Sequence, residues 1–163
     1  MPKKPKAAAQ HLPDGVVTSR LAVDFEVLDL LSHLLRRAHF YAESQFAASY
    51  PSLEATSRQL ALLFSINRLP GASQAELAHA VGVDVNTLSD LAKRSERKGL
   101  LRRVRSAHDA RAWGLYLTQL GCRLVKEAAV STPAYQQRIA QNLSEAEAQQ
   151  LVGLLNKMLG LAR

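Results

Sequence analysis

The chain has 163 residues, 47% of them hydrophobic, and a formal net charge of +7. This length and composition predict one soluble globular domain with a single core. No run approaches the roughly 18 apolar residues of a membrane span, and the N-terminus lacks the apolar core of a signal peptide, so we expect a cytoplasmic protein without a membrane partner.

Residues 1–20 are predicted to form a flexible basic arm. They contain three prolines and one glycine and show little apolar periodicity. Lys3, Lys4 and Lys6 are available to touch an acidic surface, although a solvated tail is the simpler interpretation.

A long helix is predicted from about Asp24 to Ser49, closed by Pro51. Apolar residues recur along it at helical spacing, and we expect this stripe to anchor the helix. The members of the stripe are Val27, Leu28, Leu31, Leu34, Leu35 and Ala38.

Two more helices are predicted before the middle of the chain. One runs from about Leu53 to Arg68 and stops at a Pro-Gly pair. The sequence Ser73–Glu76 is a capping box, in which a serine and a glutamate three residues apart satisfy each other's backbone N–H groups. It opens a short helix that Gly82 ends.

The next segment completes a recognisable order of elements. Asp84 can cap a helix from about Val85 to Lys98, which ends at Gly99. Two strand-like arms with a polar tip between them occupy residues 100–118. Helix, tight turn, helix and hairpin together are the winged form of the helix-turn-helix.

Two helices are predicted in the last part of the chain. Thr118 begins one, which we expect to be interrupted or bent near Pro133. Ser144 and Glu147 form a second capping box that opens the last helix.

Positive charge is concentrated in the helix-hairpin region. Residues 84–111 hold eight basic and four acidic side chains, a net +4 in about a sixth of the chain. Such a patch indicates a polyanionic partner.

The helix that Asp84 caps has two different faces. Val85, Leu88, Leu91, Ala92 and Ser95 share one side, and the opposite side carries Asn86, Asp90, Lys93, Arg94 and Arg97, with Thr87 at the margin. A helix of this diameter fits the major groove of B-DNA, where Asn, Arg, Lys and Thr have defined base partners. Any amphipathic surface helix has a charged face. The interpretation as a DNA-binding helix therefore depends on the capped helix before it and the basic hairpin after it.

These pieces resemble the MarR family of bacterial transcriptional regulators. The matching residues are "LA" at Leu77, "ERKGLL" from Glu96, "DAR" from Asp109 and "LTQLG" from Leu117. The resemblance implies a mainly α-helical winged helix-turn-helix protein that binds double-stranded operator DNA as a homodimer. It implies a basic arm over 1–20 and a single domain over 21–163, with dimerisation helices in 21–50 and 118–163 and a DNA-binding lobe over 53–117.

The resemblance also assigns roles at the hairpin, the wing of this fold. Asp109 would orient Arg111, whose guanidinium would enter the minor groove. Apart from the resemblance, four further wing residues are candidates for phosphate contacts, with solvated charges as the simpler interpretation of each: Arg102, Arg103, Arg105 and His108. Ser95 departs from the family pattern, which usually has leucine there, and we expect looser packing beneath the recognition helix.

An effector site is expected on the first long helix. His33, Arg37, Phe40, Tyr41 and Ser44 form a stripe by helical rotation, and Arg36 points away from it. Arginine beside aromatic rings suits a small aromatic carboxylate or an aryl-coenzyme A thioester. The paired arginines resemble those of a family subgroup that senses such compounds, while packing against the dimer mate is an equal alternative.

Other classes of function find less support. The single cysteine, Cys122, excludes an intramolecular disulfide, and we expect no metal site, cofactor or catalytic residue, because no Gly-rich phosphate loop, HExxH or G-x-S-x-G motif is present. Two alternatives remain open. One is a regulator that responds to oxidation of Cys122, although a buried inert thiol is the commoner state. The other is an architectural or protein-binding winged helix without an effector.

Overall fold

The computed structural model describes residues 24–105 and 113–161. Within these ranges the protein is mainly helical, with one antiparallel hairpin, as expected. The elements, after a 3-10 turn at Val27–Asp29, are α1 (Leu31–Ser49), α2 (Ser57–Arg68), α3 (Gln74–Val81), α4 (Val85–Arg97), β1 (Leu101–Arg105), β2 (Trp113–Leu117), α5 (Gln119–Ile139) and α6 (Glu145–Met158).

Three element boundaries differ from the predicted ones. Helix α1 begins at Leu31 rather than near Asp24, and α2 begins at Ser57 because Thr56 and the Gln59 side chain form a capping box there. Helix α5 continues through Pro133 without interruption. The carbonyl that loses its helical donor at Pro133 belongs to the exposed residue Ala129, where water can replace the donor.

The turn between α3 and α4 is set by local chemistry. Gly82 adopts the left-handed conformation, with φ of +75°, and its N–H donates to the Ala78 carbonyl. Two residues later the Asp84 side chain accepts a hydrogen bond from the Thr87 N–H, one of the free N–H groups in the first turn of α4. A glycine that ends one helix and an aspartate that begins the next therefore fix the helix-turn-helix.

The core lies under this helix-turn-helix and the hairpin. Its largest fully buried apolar side chains come from α2, α3, α4 and both strands, and they are Leu62, Leu63, Ile66, Leu77, Leu88, Leu101 and Leu115. Burial of a leucine contributes roughly 2 kcal/mol, so this cluster is the main reason why α4 has a defined orientation.

A short segment before α3 attaches the hairpin to the helices. The Gly71 N–H donates to the Leu115 carbonyl (2.9 Å), and the Leu115 N–H donates to the Ala72 carbonyl (3.1 Å). A side chain at Gly114 would place its Cβ 2.7 Å from the Gly71 carbonyl oxygen, so glycine is required at this close approach.

The described residues divide into two units, one up to Arg36 and one from Arg37. In the second unit, a cluster of aromatic rings joins the C-terminal half of α1 to α5, with the Tyr135 ring edge-on to those of Phe46 and Tyr50. The Tyr50 hydroxyl also hydrogen-bonds the Thr132 hydroxyl at 3.0 Å.

The apolar stripe of the first helix is not buried within the chain. Leu31 is 60% exposed and Leu34 is 44% exposed, and α6 contains no buried residue, with Leu154 57% exposed. The expected anchoring of α1 through this stripe is therefore wrong for a single chain, because apolar periodicity does not say which molecule covers the face. None of the described helices is both long and apolar enough to cross a bilayer.

Candidate nucleic-acid interface

Helix α4 presents the two faces that its periodicity predicts. Leu88, Leu91, Ala92 and Ser95 are buried, whereas Val85, at the first position of the helix, is half exposed. The opposite side is open to solvent and carries the exposed residues Asn86, Asp90, Lys93, Arg94 and Arg97, with Thr87 partly buried at its margin. This exposed side is called the polar face of α4 below.

The N-terminal end of the polar face is organised by Asp84. Its carboxylate accepts hydrogen bonds from the Thr87 N–H (2.9 Å) and from the Thr87 hydroxyl (2.6 Å). These two bonds hold the pKa of Asp84 below its usual value. The Thr87 hydroxyl is thereby fixed, and its methyl group remains as the part suited to contact a thymine methyl.

Most cations of the polar face form no ion pair with a carboxylate of the described residues. Lys93 forms an ion pair with Asp90 at 3.4 Å, and both side chains are more than half exposed. Such a surface pair contributes little stability and rearranges easily. Among the described residues no carboxylate forms an ion pair with Arg94 or Arg97, so these guanidinium groups are available to an anion.

Arg103 is held by Glu96, for which the sequence patterns predict no contact. Its Nε donates to Glu96 Oε2 (2.7 Å) and its backbone N–H donates to Glu96 Oε1 (3.2 Å). The hydrogen bond from the guanidinium is the largest cause of the lowered pKa of Glu96. The pair joins β1 to the last turn of α4, and a tight turn at Gly99 brings them together.

A second contact lies at the end of the described part of the wing, between Arg105 and Trp113. The Arg105 guanidinium lies over the Trp113 ring, 5.2 Å from its centroid, and the two residues are paired across the hairpin. Trp113 is another side chain that sequence patterns do not indicate. Asp109 and Arg111, together with His108, lie outside the described residues, so their roles remain predictions.

A cleft of about 890 Å³ lies beside the polar face, between α1, α2 and α4. Its volume is within the range of small-molecule sites. Its lining combines an aromatic ring with a histidine, several cations and one carboxylate, contributed by His39, Phe40, Glu43, Thr56, Ser57, Arg58, Gln59, Leu91, Arg94, Arg97 and Lys98. We call it the α1–α2–α4 cleft.

Of the six predicted effector residues, Phe40 lines this cleft, and its ring is 64% exposed. Tyr41 instead contacts the α5 end, where its hydroxyl donates to the Arg138 carbonyl (3.1 Å). Ser44 donates to the Tyr41 carbonyl at 2.7 Å. The others lie on α1, with His33 partly buried and Arg36 and Arg37 exposed.

Several polar residues of the cleft, among them His39, Glu43 and Arg58, are absent from the predicted effector site. His39 and Glu43 are four residues apart on α1, and that spacing is the one signal that could have found them. Glu43 accepts a hydrogen bond from the Ser57 hydroxyl at 2.6 Å, and Arg58 occupies the first turn of α2.

The structure also gives the exposure of Cys122 and the grouping of the residue types that could bind a metal. Cys122 is exposed, which corrects the expectation of a buried thiol, because the apolar side of this part of α5 is formed by Leu124 and Val125. In the part of the chain that the structure describes, no three His, Cys, Asp or Glu side chains are grouped as a metal site.

Comparisons with known proteins match this chain to transcriptional regulators. A profile of the MarR family matches residues 55–113. A Thauera aromatica protein assigned as the transcriptional regulatory protein for the hcr operon is 32% identical over 125 residues, which is 76% of this chain and 75% of that protein.

Solved structures agree with this match. The PcaV transcriptional regulator of Streptomyces coelicolor, in complex with its natural ligand, is 26% identical with a TM-score of 0.76, covering 87% of this chain and 100% of that one. BpsR of Bordetella bronchiseptica, whose DNA binding 6-hydroxynicotinic acid regulates, is 26% identical with a TM-score of 0.78, covering 83% and 97%. The repressor CouR, bound to a 23-mer DNA duplex, is 25% identical with a TM-score of 0.75, covering 86% and 99%.

Proposed function

Because the chain belongs to the MarR family of transcriptional regulators, we propose that it is a homodimeric repressor released from a pseudo-palindromic operator by a small aromatic acid or its coenzyme A thioester. Such a regulator performs no catalysis and acts on DNA in the cytoplasm. The observation that carries the proposal is the polar face of α4, which adjoins a cation-lined cleft along the same helix.

The polar face supports the DNA-binding part of the proposal. Asn86, Thr87, Asp90 and Lys93 occupy the first turns of α4, from which a recognition helix reads base edges. Arg94 and Arg97 lie further along, where phosphate contacts are expected. In the wing, Arg105 and the partly engaged Arg103 would face the backbone, and Arg111, oriented by Asp109, would enter the minor groove.

The exposed apolar residues of α1 and α6 support a homodimer. Leu31, Leu34, Leu151 and Leu154 are each more than 40% exposed. Apolar residues repeated along two terminal helices are costly to leave in water, and a second copy of the chain would cover them. A two-fold dimer then presents two α4 helices to half-sites about 34–36 Å apart.

The α1–α2–α4 cleft supports an anionic aromatic effector. It is lined by the Phe40 ring and by four cations, Arg58, Arg94, Arg97 and Lys98. The cations would bind a carboxylate or phosphate of the effector, and the Phe40 ring would pack against its aromatic ring. Arg94 and Arg97 also belong to the polar face. A bound anion would therefore withdraw charge from the DNA-binding surface, and small shifts of α4 would disturb the half-site spacing. His33, Arg36, Arg37, Tyr41 and Ser44 remain candidates for a site completed by the partner chain.

Cysteine oxidation is a second candidate trigger, and the exposure of Cys122 favours it. Oxidation of an accessible thiol would act without any ligand. A Cys122→Ser variant that keeps its response to aromatic acids but loses a response to peroxide would separate the two triggers.

One experiment tests DNA recognition. Purified protein selects its operator from a random-sequence DNA library, and wild type is then compared with Arg111→Ala on the selected sequence. We expect a large loss of affinity with an unchanged circular dichroism spectrum, while equal affinity would contradict the wing assignment and favour an architectural or protein-binding role.

A matched pair of variants tests the dimer. Sedimentation equilibrium at micromolar concentration should show a dimer for the wild type and a monomer for Leu154→Glu. Leu69→Glu, a similar change at a 48% exposed leucine of the helix-turn-helix lobe, should remain dimeric. A monomeric wild type would contradict the proposal.

A further inference from the structure

Two polar side chains are buried in the core between α2 and α4. Gln59 is 4% exposed and Ser95 is fully buried. Gln59 Nε2 donates to Ser95 Oγ at 3.3 Å, and Ser95 Oγ donates to the Leu91 carbonyl at 2.9 Å. At the other end of the amide, the Thr56 N–H donates to Gln59 Oε1 at 3.2 Å.

These hydrogen bonds form a continuous chain from the N-cap of α2 to the middle of α4. Thr56 donates to Gln59, Gln59 donates to Ser95, and Ser95 donates to Leu91. The amide is used at both ends, so the oxygen and nitrogen of Gln59 are distinguished by their partners. Ser95, which departs from the family pattern, therefore makes a polar contact beneath the recognition helix.

A directional contact constrains a helix differently from apolar packing. The hydrophobic effect has no preferred direction, whereas a buried amide loses its hydrogen-bond partner when the helices shift. The Gln59–Ser95 bond therefore favours one rotation of α4 against α2. In some proteins buried polar groups specify one relative orientation of two elements. Here the orientation is that of α4, the helix that carries the polar face.

The chain of hydrogen bonds also borders the α1–α2–α4 cleft. Thr56, Gln59 and Leu91 all line the cleft, and Ser95 lies immediately after the cleft residue Arg94. A ligand that displaces the Thr56 end or the Gln59 amide disturbs the bond to Ser95, and with it the rotation of α4. The cleft and the DNA-binding face thus share one hydrogen-bonded link.

We propose that Gln59 is a positioning residue that, through its hydrogen bond to Ser95, sets the rotation of α4 for operator binding and transmits occupation of the α1–α2–α4 cleft to it. The inference rests on the proposed function, because it concerns how the same regulator places its recognition helix.

The test separates positioning from simple stabilisation. Ser95→Ala leaves the Gln59 amide N–H without its partner in the core, and Gln59→Met takes away the donor to Ser95 Oγ, which keeps only its bond to the Leu91 carbonyl. Both single variants should therefore lower the unfolding temperature, Ser95→Ala by more. The double variant removes both partners, and its unfolding temperature should return close to that of the wild type, since a matched apolar pair is nearly neutral. The Thr56 N–H left by Gln59→Met belongs to an exposed residue and can be hydrated.

The decisive readout is the response of the folded double variant to DNA geometry. The probes are the selected operator and two versions in which the half-site spacing is changed by one base pair. We expect the double variant to lose about fivefold or more of the wild-type discrimination between the correct and the altered spacing. Tyr50→Phe combined with Thr132→Val removes a hydrogen bond between α1 and α5 without touching α4, and it should keep the discrimination.

A second readout concerns the ligand. With 6-hydroxynicotinate or benzoyl-coenzyme A as probe, whichever weakens operator binding of the wild type more, the weakening should be smaller in the double variant by a similar factor. Wild-type discrimination together with a wild-type ligand response in the double variant would overturn the inference and leave the proposed function intact. A wild-type protein that selects no DNA sequence would instead overturn the proposed function itself.

Discussion

Glu96 on the last turn of α4 accepts two hydrogen bonds from Arg103 on β1, one from its guanidinium at 2.7 Å and one from its backbone N–H at 3.2 Å. The recognition helix and the wing are therefore joined by a charged contact as well as by the turn at Gly99. This contact links the two elements that we propose to bind DNA, and it engages the Arg103 side chain in holding the wing against α4.

Replacement of Glu96 by Gln is expected to lower the free energy of unfolding by about 1 kcal/mol near neutral pH, discounted for partial exposure of the pair. The folded-state pKa of Glu96 lies below the usual value of 4.5. The extra stability of the wild type over Glu96→Gln is therefore fully present above about pH 4.5. It is lost as the pH falls through the lower pKa of Glu96 in the folded state. Urea unfolding of both proteins between neutral pH and about pH 3 measures this, and a difference that does not change with pH would contradict the ion-pair assignment.

Operator binding is expected to change the emission of Trp113, which is the one tryptophan of the chain. The Arg105 guanidinium rests on its ring, and a phosphate that attracts Arg105 alters the surroundings of the indole. A fluorescence titration with the selected DNA checks this. Arg105→Gln should reduce the change in emission, and an emission spectrum that DNA leaves unaltered would place this part of the wing away from the duplex.

Gly121→Ala is expected to destabilise the protein by about 1–3 kcal/mol, because the new methyl group would collide with the Leu100 carbonyl. That carbonyl accepts the Thr118 N–H at 3.1 Å and cannot shift without breaking this bond. Gly153→Ala is the matched control, since beyond the surrounding backbone of α6 its methyl group meets no atom of the described residues within 4 Å. It should instead stabilise α6 by about 0.5–1 kcal/mol. Thermal unfolding compares the two, and losses of the same size would argue against the close contact at Gly121.

Combined replacement of Arg94 and Arg97 by Gln is expected to weaken both operator binding and ligand binding. Each phosphate contact that is lost should reduce the slope of log affinity against log salt by about one. Arg58→Gln is the matched control, because Arg58 lines the same cleft from α2 and lies off the polar face of α4. It should weaken ligand binding with little effect on the salt slope. An unchanged slope in the double variant would show that these arginines do not meet phosphates.

Much of the lobe that carries the recognition helix follows from local sequence. The capping box at Ser73, the left-handed Gly82 and the Asp84 cap are each readable over a few residues, and the structure confirms all three. The division of α4 into a buried and an exposed side is confirmed as well, because helical periodicity alone decides it.

The remaining features depend on contacts between distant segments. The Gln59–Ser95 bond joins residues 36 positions apart, and no local pattern predicts it. The α1–α2–α4 cleft likewise needs the packing of three helices, which is why His39 and Arg58 are absent from the predicted site. The exposed leucines of α1 were expected to be buried, and sequence periodicity cannot distinguish a core from a surface that a second chain covers.

We propose that an aromatic anion in the α1–α2–α4 cleft controls the DNA affinity of α4. The most direct measurement is the fluorescence anisotropy of labelled, selected operator titrated with wild-type protein, alone and with saturating 6-hydroxynicotinate, benzoate or benzoyl-coenzyme A. We predict sequence-selective binding that at least one of these compounds weakens by about tenfold or more. An operator affinity that none of them changes would contradict the claim.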